Sequence, residues 1–165
     1  MRKYIIYQLF LTILYMAMIA IFSYMSTRTG TSSGEMSQRV AEDVAKVEES
    51  ITGKPVVVDD GYVLSIRKII GHFGFFTCFG IVSALLFLSL YTVLMPLRIS
   101  IHYVAGILFA FISEYLLEGN TKGRTASIRD VGLDTLGFIG VSSIMIIGWL
   151  IIKYIRRKKE SYNSL

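Results

Sequence analysis

The 165-residue chain has one cysteine, two prolines and one tryptophan, and only 18% of its residues are charged, against about a quarter in ordinary soluble domains. A lone cysteine, Cys78, excludes an intramolecular disulfide and argues against a thiolate metal centre. There is no Walker loop, dinucleotide glycine pattern, metal-ligand cluster or nucleophile elbow, and no internal repeat. A conventional soluble catalytic module is therefore excluded, and neither a cofactor nor a metal is expected. The length leaves room for one modest domain. What the chain has instead is apolar residues, 53% of the total, with a mean hydropathy of +0.58. They run in long blocks that a soluble core of this size cannot enclose, which marks an integral membrane protein.

A helix needs about 20 mostly apolar residues to cross the hydrocarbon of a bilayer. Four blocks meet this, at residues 4–25, 69–91, 99–117 and 131–152. The expected fold class is thus an all-α membrane protein with four transmembrane helices. Met1-Arg2-Lys3 precedes an uncharged run too long for the apolar part of a signal peptide, so an uncleaved signal anchor is expected. Met95-Pro96 is expected to close the second helix, because proline lacks an N–H and disfavours helix in the residue before it. With both termini in the cytoplasm, that side holds Arg2, Lys3, Arg98, Lys153, Arg156, Arg157, Lys158 and Lys159, and Glu160 is its only acid. The opposite side then holds a slight acidic excess, the division that the positive-inside rule favours. Residues 1–155 form one transmembrane domain and 156–165 a basic cytoplasmic tail, suited to anionic lipid rather than nucleic acid.

The external segment, residues 26–68, opens with a Ser/Thr/Gly loop. Ser32 and Glu35 then have capping-box spacing, and Met36, Val40, Val44, Val47 and Ile51 recur at helical intervals. This predicts an external amphipathic helix between the first two spans, ending near Gly53 and lying on the outer leaflet or against the bundle. Val56-Val57-Val58 reads as a short extended piece leading to a turn at Asp59-Asp60-Gly61; the fold of 54–66 is left open.

Ionisable residues at membrane depth call for a partner or a purpose, and here alternation of the spans gathers them on one face. They are His72, Glu114, Arg124, Asp130 and Asp134. Each also has a structural reading. Asp130 with Ser127 has capping-box spacing; Arg124 suits either lipid phosphate or pairing with Glu114; His72 is either interfacial or a proton carrier. Glu114, inside an apolar helix, is costly without a cation or a proton. Gly71, Gly74, Gly80, Gly132, Gly137 and Gly140 read as helix-packing positions, and His102 as interfacial. Tyr4, Tyr7, Tyr91, Tyr103, Tyr115, Trp149 and Tyr154 read as an aromatic belt.

These features together resemble the VanZ-like family. The resemblance rests on Ile21-Phe22-Ser23-Tyr24-Met25-Ser26, Arg67-Lys68 with His72, and Ser113-Glu114. It continues through Gly123-Arg124-Thr125-Ala126-Ser127-Ile128-Arg129-Asp130-Val131 and Asp134-Thr135-Leu136-Gly137. It implies a link to lowered susceptibility to glycopeptide antibiotics, above all the lipid-bearing teicoplanin class, in Gram-positive bacteria. Two mechanisms are compatible with this. Either the protein alters antibiotic access at the cell surface without catalysis, or an outer-face site binds or modifies an anionic envelope lipid or lipid-linked wall precursor. An accessory role in a larger membrane complex is a third. The partners implied are membrane lipids with a lipid-linked precursor or the lipoglycopeptide itself; the sequence leaves catalysis and oligomeric state open.

Overall fold

The computed structural model describes residues 2–90 and 94–163, and among these every regular element is helical. The helices are α1 (Arg2–Ser26), α2 (Gly30–Thr52), α3 (Asp60–Ser89), α4 (Met95–Glu118) and α5 (Ile128–Asn163). Four of them, α1, α3, α4 and α5, are long and apolar enough to cross a membrane. Amphipathic α2 lies between the first two. Two helices contain wide π turns with i→i+5 hydrogen bonding, Arg67–Gly74 within α3 and Ser113–Glu118 at the end of α4.

Helix α3 begins well before its apolar block because a polar cap closes its first turn. Asp59 is the N-cap of α3, its carboxylate accepting the Tyr62 N–H at 2.8 Å. Asp59-Asp60-Gly61 is thus a helix start rather than a turn. Val56-Val57-Val58 belongs to no regular element, and the Val56 N–H is taken by Glu49 at 2.8 Å. Helix α3 ends at Ser89, before the expected Met95-Pro96 stop. That pair instead opens α4, where proline's missing N–H leaves no gap in the hydrogen bonding. Tyr91, the expected end of the second span, lies outside the described residues. Helix α5 has 36 residues, about 54 Å at 1.5 Å each. It carries Arg156, Arg157, Lys158 and Lys159 as a continuation of the fourth span.

Helix α2 begins at Gly30, capped by Thr29, whose hydroxyl accepts the Ser32 N–H at 3.4 Å. Ser32 is therefore not the cap. The helix stops at Gly53, in the left-handed region at φ 66°, where glycine carries no Cβ penalty. Ala41 and Ala45 are its buried residues and it packs on the first turns of α3. Met36, Val47 and Ile51 of the expected apolar stripe are exposed. Small residues four apart permit a close approach that the larger ones do not.

The core is aromatic. Phe22, Phe76, Phe79 and Phe138, with Ala110 and Val131, are enclosed by α1, α3, α4 and α5. The bundle face turned outward is apolar as well, with Leu9, Phe10 and Ile13 of α1 and Ile144, Ile147 and Ile151 of α5 exposed, as lipid contact requires. Backbone proximity is set by particular glycines. A Cβ on Gly106 would run into the Phe138 ring, one on Gly80 would lie 2.8 Å from the Phe138 carbonyl oxygen, and one on Gly137 2.6 Å from that of Phe73. Nothing lies within 4 Å of such an atom on Gly132 or Gly140, so these two do not serve close packing.

At the α3–α4 end of the bundle, two expected surface residues are internal. His102 is buried rather than interfacial, with Nδ1 2.8 Å from the Ser83 hydroxyl. Arg98 is buried too and donates to the Phe87 and Leu88 carbonyls at 3.4 and 3.2 Å. It thereby caps the end of α3, where the Phe87 carbonyl also accepts the Leu90 N–H at 3.3 Å. Tyr103 of the expected belt also turns inward, sharing a 2.9 Å hydrogen bond with Ser143.

Candidate functional site

At the opposite end of the bundle, both π turns meet the start of α5 and the loop before it. The turn in α3 carries Arg67, Lys68 and His72; the turn in α4 carries Glu114 and Glu118. A wide turn takes in one residue more than an α turn and changes the direction of the side chains that follow it. Residues four apart still share a face, so Glu114 and Glu118 are both directed inward and almost wholly buried.

Glu118 is the centre of this network, although the sequence reading did not include it in the candidate site. Its Oε2 accepts from Arg67 at 3.3 Å and pairs with Arg124, and its Oε1 accepts the Ser26 hydroxyl at 3.4 Å. Of the two uses open to Arg124 in the sequence, lipid phosphate or Glu114, neither is its carboxylate contact here: that partner is Glu118, one helical turn beyond Glu114. Arg124 also donates to the Met25 and Ser26 carbonyls at 3.2 and 3.3 Å, closing the end of α1. Burial draws its guanidinium below the ordinary arginine value while the Glu118 carboxylate acts in the other direction; arginine keeps its proton in either case.

Glu114 accepts the Ser127 N–H through Oε1 at 2.7 Å. In a reciprocal capping box that N–H would belong to Asp130. Only half of the box forms: the Ser127 hydroxyl accepts the Asp130 N–H at 3.3 Å, while the Asp130 carboxylate lies 4.0 Å from Lys68 Nζ. Asp134, nearly two turns into α5, is fully buried and lies 3.1 Å from His72 Nδ1. His72 is likewise buried, with its ring edge-on to Phe22 at 6.3 Å. Hence all five residues expected on one face converge there, but as three linked groups: Glu118 with Arg67 and Arg124, His72 with Asp134, and Lys68 with Asp130, while Glu114 ties the loop to α4.

Beside the network is a cavity of about 260 Å³. Its walls are apolar, from Phe22 and Met25 of α1, Met36 and Val40 of α2, and Ile70 and Phe75 of α3; Arg67, His72, Glu118 and Arg124 form its polar end. Helix α2 is held over it by the loop: Gly30 N–H donates to the Lys122 carbonyl at 3.0 Å, and Gly30 sits directly against the Gly123 backbone. Gly123 has φ 77°, a conformation that favours glycine. A signal for the missed Glu118 does exist in the sequence, namely its position four residues after Glu114 on one helix. The sequence left α2 open between the outer leaflet and the bundle, and it gives no sign of the cavity that α2 lines. Searches with the chain against family models, curated proteins and solved structures give no match.

Proposed function

We propose that the chain is a membrane-embedded binding protein for an amphiphile of the cell envelope, and that by this it lowers susceptibility to lipoglycopeptides of the teicoplanin class. The observation that carries the binding reading is the cavity, whose apolar walls suit an acyl or isoprenoid chain and at whose polar end Arg67, the more exposed of the two guanidiniums on Glu118, suits an anionic head group. The antibiotic reading rests on the resemblance to VanZ-like proteins. In this reading both termini are cytoplasmic and the site faces outward, supported by the basic excess around the termini. The His72–Asp134 pair, able to hold or pass a proton, supports an alternative in which the bound lipid or wall precursor is chemically modified. A new envelope species on expression would favour that alternative.

Expression should reduce cell-associated lipid-bearing glycopeptide more than a glycopeptide without a lipid chain. Val40→Trp, which fills the cavity from α2, should remove the difference at unchanged membrane abundance. Equal drug binding with and without the wild-type protein would discard the antibiotic role. A fully active Val40→Trp variant would discard the cavity as its site.

A further inference from the structure

We propose that His72, Glu114 and Glu118 bind a divalent first-row transition-metal ion such as Mn²⁺ or Zn²⁺. The three side chains come from α3 and α4 and are 3%, 1% and 4% exposed. Each brings one donor atom within 4.8 Å of the other two. Bonds of about 2.1 Å to a central ion are reached from there by side-chain rotation that draws the donors together.

Three features point to a cation. His72 presents Nδ1 to Asp134 at 3.1 Å, so the Nδ1–H is held by a carboxylate and the lone pair is left on Nε2. This is the arrangement by which metal-binding histidines are oriented. Glu114 Oε1 is occupied by the Ser127 N–H, whereas Oε2 is buried without a hydrogen-bond partner. An ionised oxygen in that position is costly until a cation reaches it. The network also joins four carboxylates, Glu114, Glu118, Asp130 and Asp134, to three cations, Arg67, Lys68 and Arg124, of which Arg67 and Lys68 are about a third exposed. With His72 neutral, as a metal-ligating imidazole is, the carboxylates exceed the cations by one. On Glu118 the two guanidiniums occupy Oε2, which leaves Oε1, held only by the Ser26 hydroxyl at 3.4 Å, as the ligand oxygen. One imidazole with two carboxylates favours Mn²⁺, Fe²⁺ or Zn²⁺ over the all-oxygen preference of Mg²⁺ and Ca²⁺.

The proposal stands apart from the antibiotic reading and is tested without it. The 165-residue protein, purified in detergent and stripped with a chelator, is titrated with Mn²⁺ alone and free Mn²⁺ is followed by electron paramagnetic resonance. Wild type should bind one ion per chain and rise in thermal midpoint as it does so. Glu114→Gln and His72→Gln should each weaken binding at least about tenfold, and Asp134→Asn, which only positions His72, by about 10- to 100-fold. Wild type that is helical and monodisperse yet binds neither Mn²⁺ nor Zn²⁺ saturably up to about 1 mM overturns the proposal, and Glu114 is then neutralised by a proton. Unchanged affinity in folded Glu114→Gln and His72→Gln proteins overturns it equally.

Discussion

At the scale of single residues, the network distinguishes two arginines that share one carboxylate. The Arg124 side chain is 6% exposed and that of Arg67 31%. Arg124 also holds the last carbonyls of α1, so its loss leaves Glu118 less compensated and opens a helix end. Breaking a buried pair costs about 3 to 5 kcal/mol, whereas a partly solvated one contributes about 1 kcal/mol or less. Arg124→Ala should therefore lower the thermal midpoint in detergent far more than Arg67→Ala. Arg124→Lys should fall between them, because a single ammonium cannot serve the carboxylate and two carbonyls with a planar fork. Similar losses for Arg67→Ala and Arg124→Ala would contradict the role given to Arg124. Much of this was legible: an ionisable residue in or beside an apolar block needs a partner or a purpose, and alternation of the spans brings His72, Glu114, Arg124, Asp130 and Asp134 to one face. The pairings were not, since Glu114 and Glu118 lie on one face and sequence spacing does not decide which of them meets a residue on another element.

At the scale of helices, small residues do different work at similar-looking positions. Gly106 faces Phe138, which is fully buried and held by Phe79 and His102 at ring distances of 5.6 and 4.8 Å. The ring has no space to retreat into, and overpacking of this kind costs about 1 to 3 kcal/mol. Gly140, which has open space beside it, should gain up to about 1 kcal/mol of helix propensity from the same change. Gly106→Ala should thus lower thermal stability and Gly140→Ala leave it equal or higher, with Phe138→Leu partly rescuing Gly106→Ala. A Gly106→Ala protein as stable as wild type would show that α4 and α5 do not approach as described. Glycine-rich spacing in α5 suggested close contact at 132, 137 and 140 alike; only the partner helix selects 137. Pro96 was ambiguous in the same way, since proline suits both the residues after a helix and the first turn of the next one.

At the scale of the whole molecule, the four spans place the buried polar network at the end of the bundle opposite the chain termini. If the termini are cytoplasmic, cysteines placed at Gly34 and Lys122, both exposed, should react with an impermeant maleimide on intact cells in a Cys78→Ala background. A cysteine at Lys158, also exposed, should react only after lysis. The reverse pattern would invert the topology and turn the cavity toward the cytoplasm.

The sequence by itself determined the membrane class, the four spans and the end at which the polar residues gather. Hydrocarbon thickness and the cost of bare charge act on each segment separately, and alternation of direction then settles which loops share a side. Tertiary structure alone decided that Glu118 rather than Glu114 receives Arg124, that Asp134 holds His72, that Arg98 and His102 are interior, and that α2 lines a cavity beside the network. The choice between Glu114 and Glu118, two neighbours of equal chemistry, is made at a π turn, and the approach of the spans is set by the glycines between them.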